Sequence, residues 1–188
     1  MSSEALGPGV LVAVVGPSGA GKDALLSHAA DVLRDDAAFV FPQRLVTRMT
    51  SVAEDHAVID RVAFDQGVQD RAFALHWEAH GLGYALPAAL DDYVRQGAIV
   101  VSNMSRKAIP AARVRYANVR VVLVTAPLAM RRERLLARQR EAADDVNARL
   151  SRSVDTFNPK DADVTVENAG TLDAGVAVFV AAIRALAR

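Results

Sequence analysis

No cysteine occurs among the 188 residues, which excludes disulfides, thiolate metal sites and cysteine nucleophiles together. Neither sign of charge is in excess. The 22 basic residues balance 22 acidic ones, so no global field draws the chain to nucleic acid or to a membrane surface. No apolar run reaches the roughly 18 residues a membrane helix needs. The opening MSSEALGPG has neither the charged nor the apolar region of a secretory signal. These absences set the expectation of a cytoplasmic protein with no nucleic-acid or membrane partner. Aromatic residues are scarce at 5%, with a single tryptophan. Lysine is scarce as well: of 22 basic residues, only Lys22, Lys107 and Lys160 are lysine. The resulting arginine bias has two readings, a genome rich in G and C or a demand for planar guanidinium forks that grip phosphates.

What is present is a chain with 52% hydrophobic residues, enough at this length for one sizeable core and one domain over residues 1–188. VLVAVV (Val10–Val15) is a short continuous β-branched run, as a buried parallel strand would be, and residues 22–33 then repeat apolar positions at helical spacing. AIVVS (residues 98–102) and VRVVLVT (Val119–Thr125) read as further buried strands, each followed by a helical pattern. This alternation predicts an α/β fold, a doubly wound parallel sheet with helices on both faces. FALHWEAHGLGYALP (residues 73–87) reads as strand, turn and strand of a small inserted lobe. Residues 127–157 read as an arginine-rich helix, a turn near 141–145 and a second helix, and the chain closes with a strand at DVTVEN and a helix over 172–187.

Between the first strand and the first helix lies GPSGAGKD, residues 16–23. It follows the phosphate-loop pattern of a glycine-rich turn ending in Gly21 and Lys22, with Pro17, Ser18 and Ala20 filling the turn. Gly16, Gly19 and Gly21 let the backbone turn so that amide N–H groups and the helix's positive end converge on anionic oxygens. Lys22 then reaches the terminal phosphates. The pattern ordinarily ends in a hydroxyl that ligates magnesium, whereas here Asp23 follows. A carboxylate in a first helical turn gains from the macrodipole, and it is also a magnesium ligand, direct or through water.

GPSGAGKD, RLVTR (residues 44–48), EDH (54–56), LHWEAHGLGYALP (75–87) and VVSNMSRKAIPAARVRYANV (100–119) together resemble, in chain order, the ribose 1,5-bisphosphate phosphokinases of phosphonate breakdown, relatives of guanylate kinase. An aspartate after the loop lysine is a feature of that family. The resemblance implies a phosphate-loop kinase fold with an acceptor-binding lobe over about 44–87 and a helical lid over about 131–152. It further implies transfer of the γ-phosphoryl group of ATP, with Mg2+, to a phosphorylated sugar.

The residues carried over follow from the same resemblance. Lys22 and Asp23, with lid arginines Arg134, Arg138 and Arg149, would serve the transfer, Asp23 as the metal ligand. The loop residues, Arg138 and Asn168 would hold the nucleotide, Asn168 from the VENAG loop that approaches adenine in related kinases. Arg44, Arg48, His56, Tyr84, Asn103, Arg106 and Arg140 would line the acceptor site. Where guanylate kinases read guanine with a glutamate this chain has Leu75, and Ser102 and Asn103 replace an acidic pair, which argues against guanylate as substrate. A nucleoside monophosphate kinase or another small-metabolite kinase stays open as an alternative, as does a homodimer. A non-catalytic interaction module is disfavoured because Lys22 and all three glycines remain. His76 and His80 flank Trp77 without a third ligand nearby, so no histidine metal site is expected.

Overall fold

A computed structural model describes residues 4–47, 56–79, 81–137 and 158–187. The strands are β1 (Val10–Val15), β2 (Phe39–Val40), β3 (Arg44–Val46), β4 (His56–Val58), β5 (Phe73–Ala79), β6 (Leu82–Pro87), β7 (Ile99–Asn103), β8 (Val119–Thr125) and β9 (Val164–Glu167). The helices are α1 (Lys22–Val32), α2 (Arg61–Gln69), α3 (Ala89–Arg95), α4 (Ile109–Arg115), α5 (Leu128–Ala137) and α6 (Leu172–Leu186).

Five strands form one sheet in the order β2-β7-β1-β8-β9, and every pairing in it is parallel. The continuous apolar runs follow from burial on both faces. In β1, Leu11, Ala13 and Val15 face one core with Leu90, Val94, Ile109 and Tyr116, while Val12 and Val14 face a second core under α1 and α6. In that second core Leu25 and Ala29 meet Phe179, Val180 and Ile183. The order reverses at β1, whose neighbours both come later in the chain, and the crevice beyond its carboxyl end is where such sheets bind ligands.

A second, four-stranded sheet, β4-β3-β6-β5, is built from residues of the expected acceptor lobe. β3 and β4 run parallel, whereas β6 is antiparallel to both β3 and β5. α2 starts on Asp60, whose carboxylate accepts the Ala63 N–H at 2.8 Å. Its small core stacks Phe64 on Phe73 with ring centres 5.8 Å apart. A side chain at Gly67 would run into the Phe73 ring, which is why this helix carries a glycine. Asp91 of α3 accepts from both Arg115 and Tyr116 and fastens α3 to the end of α4. No helix of the described residues is long and apolar enough to cross a membrane.

Candidate active site

The loop over residues 16–21 leaves the carboxyl end of β1, where Val14 pairs with Asn103 of β7 and Val15 with Leu123 of β8. Gly16 takes φ 151° and presses so closely on β8 that a Cβ would collide with the Val124 carbonyl. Gly21, at φ 89°, forms the start of α1, and a Cβ there would collide with the Asn168 amide. These two positions need glycine for backbone conformation and for space. Lys22 lies back across the loop, its Nζ donating to Gly16 O at 2.9 Å and Pro17 O at 3.1 Å.

Three side chains hold the loop from behind. Arg131 Nε donates to Ser18 O at 2.9 Å, Asn168 Nδ2 donates to Ala20 O at 2.9 Å, and Arg134 reaches Ala20 O at 3.4 Å and Asn168 O at 3.1 Å. Because the trans peptide unit sets N–H and C=O on opposite sides, pinning the Ser18 and Ala20 carbonyls turns the Gly19 and Gly21 N–H groups the other way, toward the crevice. The glycine turn thus becomes a preorganised anion cradle. Arg131 is 92% buried, and burial pulls its guanidinium below the ordinary arginine value; it remains a cation directly beneath the cradle.

The Asp23 carboxylate sits in the first turn of α1 and accepts from Asn103 Nδ2 at 2.5 Å. A neutral amide orients this carboxylate without consuming its charge. Magnesium is commonly held by one or two carboxylates plus substrate phosphates, so a lone carboxylate beside a phosphate cradle fits the ion. Among the described residues no three histidines, cysteines or carboxylates cluster as a metal site.

Across the crevice stands the lobe. Arg44 of β3 donates from Nη1 to Asn103 O at 3.3 Å and lies over the Tyr84 ring, 5.0 Å from its centre. Tyr84 of β6 stacks on Trp77 of β5, centres 5.7 Å apart and planes 6° from parallel. Trp77 is buried, so it packs the lobe rather than presenting a free face. Asn103 therefore joins the two halves: its carbonyl receives the lobe's Arg44 and its amide orients Asp23.

The structure brings together Gly16, Pro17, Ser18, Gly19, Ala20, Gly21, Lys22, Asp23, Arg44, Tyr84, Asn103, Arg134 and Asn168 of the expected site. The Asn168 side chain is buried beneath the loop and donates to the Ala20 carbonyl. Arg134 is bound to main-chain carbonyls at the loop's flank. Arg106 opens the turn after β7 and makes no hydrogen bond or ion pair among the described residues. Arg48, Arg138, Arg140 and Arg149 lie outside the described residues, as does the side chain of His56. Arg131 is the contributor that sequence reasoning left unassigned; its signal was its place one helical turn before Arg134, on the same face.

No family model matches the chain. Among solved structures, guanylate kinase from Anaplasma phagocytophilum superposes with a TM-score of 0.68 at 17% identity, over 97% of this chain and 87% of that one, which establishes a shared fold. Curated relatives are far nearer in sequence. The ribose 1,5-bisphosphate phosphokinase PhnN of Bradyrhizobium diazoefficiens is 50% identical over 169 residues, 90% of this chain and 85% of the relative. Its counterpart in Methylobacterium radiotolerans is 47% identical over 178 residues, 95% and 99% of the two chains. The one in Brucella melitensis is 39% identical over 173 residues, 92% and 90%. With identity this high over nearly the full length, and a phosphate cradle facing an arginine-bearing lobe, the chain belongs to the ribose 1,5-bisphosphate phosphokinase PhnN family.

Proposed function

We propose that the chain transfers the γ-phosphoryl group of ATP to the 1-phosphate of ribose 1,5-bisphosphate, giving 5-phosphoribosyl 1-diphosphate and ADP. The observation that carries this reading is the 50% identity to a phosphokinase of that name over 90% of the chain. The site's chemistry agrees with it. A 1-phosphate oxygen attacks the γ-phosphorus, the bond to the β,γ-bridging oxygen breaks, and the electron pair leaves on ADP. The acceptor's second ionisation lies near pH 6, so its oxygen is already anionic and the reaction needs no general base. Catalysis then consists of positioning and charge neutralisation.

In this reading the Gly19 and Gly21 amides and Lys22 hold the ATP phosphates, with Arg131, Arg134 and Asn168 keeping the cradle in shape. Asp23, oriented by Asn103, holds Mg2+, which neutralises phosphate charge when bound. Arg44, Tyr84, Arg48, His56, Arg106 and Arg140 receive the acceptor. Arg138 and Arg149 act on the phosphoryl group from the lid. In this reading the reaction runs in the cytoplasm, where ATP is at hand.

The test is ADP release, coupled to an optical readout, with ribose 1,5-bisphosphate, guanylate and gluconate offered in parallel. The bisphosphate alone should give turnover, with product identified by a phosphoribosyltransferase. Turnover on guanylate with none on the bisphosphate would overturn the assignment in favour of a nucleoside monophosphate kinase.

A further inference from the structure

Tyr84 stands on the middle strand of its neighbourhood, with β3 on one side and β5 on the other. Trp77 is its direct partner across β5, and Val46 its direct partner across β3. Arg44, two residues before Val46, projects from the same face of β3. The two neighbours of the Tyr84 ring therefore reach it from opposite sides, the indole at 5.7 Å and the guanidinium at 5.0 Å. Both broad faces of the ring are covered, and an incoming planar base has neither face to stack on.

The covering guanidinium is itself incompletely satisfied. Arg44 Nη1 has the Asn103 carbonyl, but the buried Nε–H has no hydrogen-bond partner among the described residues. A buried donor without a partner is rare and marks a place where a ligand acceptor belongs. A charged donor of this kind suits an anionic oxygen such as that of a phosphate, with which its hydrogen bond is strongest; discrimination against a base comes from the covered Tyr84 ring.

We propose that Arg44 is the specificity-determining residue of the acceptor site, selecting a phosphorylated sugar by offering a buried cationic donor while shielding Tyr84 from a planar nucleobase. This deepens the function proposed above and rests on it. The bland role for such an arginine is to steady Asn103 and through it Asp23. That role would affect ATP and magnesium use as much as the acceptor.

The experiment compares Arg44→Ser and Arg44→Lys with the unaltered chain. It measures the KM for ribose 1,5-bisphosphate, the KM for MgATP, the inhibition constant of guanylate, and thermal unfolding. Arg44→Ser should raise the bisphosphate KM on the order of 100-fold, the loss expected for a charge-assisted contact. It should leave the MgATP KM within about threefold and tighten guanylate inhibition by about tenfold or more as the Tyr84 face opens. Arg44→Lys keeps the charge and loses the plane, so it should recover part of the bisphosphate binding while guanylate inhibition still tightens. The proposal is overturned if the bisphosphate KM moves less than about threefold in both variants, or if the MgATP KM rises in step with it. Should Arg44→Ser fail to fold, the lysine variant decides by the same two criteria. Absence of bisphosphate turnover in the unaltered chain would refute the proposed reaction instead, which separates the two failures.

Discussion

Replacing Asn168 by alanine removes a side-chain amide that grips the phosphate loop from beneath. The residue is 4% exposed, and its Nδ2 donates to Ala20 O at 2.9 Å. Without it, the Ala20 carbonyl keeps only the long 3.4 Å contact from Arg134. A lost hydrogen bond together with a buried, under-served carbonyl costs about 2–3 kcal/mol. For a domain of this size that lowers Tm by about 4–12 °C. The released Ala20 peptide unit also lets the Gly21 N–H turn away from the crevice, so MgATP binding should weaken about tenfold, roughly 1.4 kcal/mol. Asn168→Asp should be worse at neutral pH, because a carboxylate oxygen then faces a carbonyl oxygen. Differential scanning calorimetry and isothermal titration with MgATP measure the two quantities separately. An unchanged Tm with weakened ATP binding would place the side chain at the nucleotide itself, and no change in either would refute the clamp.

Asp23→Ala should reduce magnesium-dependent kcat by about 10–100-fold, whereas Asp23→Ser, which restores the usual hydroxyl, should regain part of it; equal rates across a magnesium titration would remove Asp23 from the metal. Asp91 titrates where it reports on stability: burial pushes its carboxyl up, but the hydrogen bonds from Arg115 and Tyr116 outweigh burial and hold it below the usual carboxylate range. A depressed folded pKa gives stabilisation that is present above the unfolded value near 3.9 and lost as pH falls. Tm should accordingly decline below about pH 5, and Asp91→Asn should flatten that decline while leaving the KM for MgATP unchanged.

The central sheet was readable because its strands are buried on both faces and so appear as unbroken β-branched runs, as in VLVAVV and VRVVLVT. The phosphate loop was readable because all its parts are contiguous in sequence. Other elements gave no such signal. β2, β3 and β4 are two or three residues long, too short for any period to register. α2 carries Gly67 in its interior, a helix-weakening residue required by the Phe73 ring packed against it. The contacts that define the site were hidden for a different reason. Asn168 and Ala20 lie 148 residues apart, Asn103 and Asp23 lie 80 apart, and Arg44 and the Asn103 carbonyl lie 59 apart. Nothing local distinguishes Asn168 as a brace for the loop from Asn168 as a ligand contact. Nothing local in the sequence marks Arg131 as a loop contact, because Arg131 and Ser18 are 113 residues apart.

The scarcity of aromatic residues leaves the chain with a single tryptophan, and Trp77 lies flat against the tyrosine that Arg44 covers. The molecule thus carries its own optical reporter in the acceptor lobe. Excitation near the red edge of indole absorption reads one fluorophore, with no label and no competing signal from the nucleotide loop. Quenching or a spectral shift on adding sugar phosphate would follow occupancy in real time, and stopped-flow traces would time the acceptor's arrival apart from the chemical step.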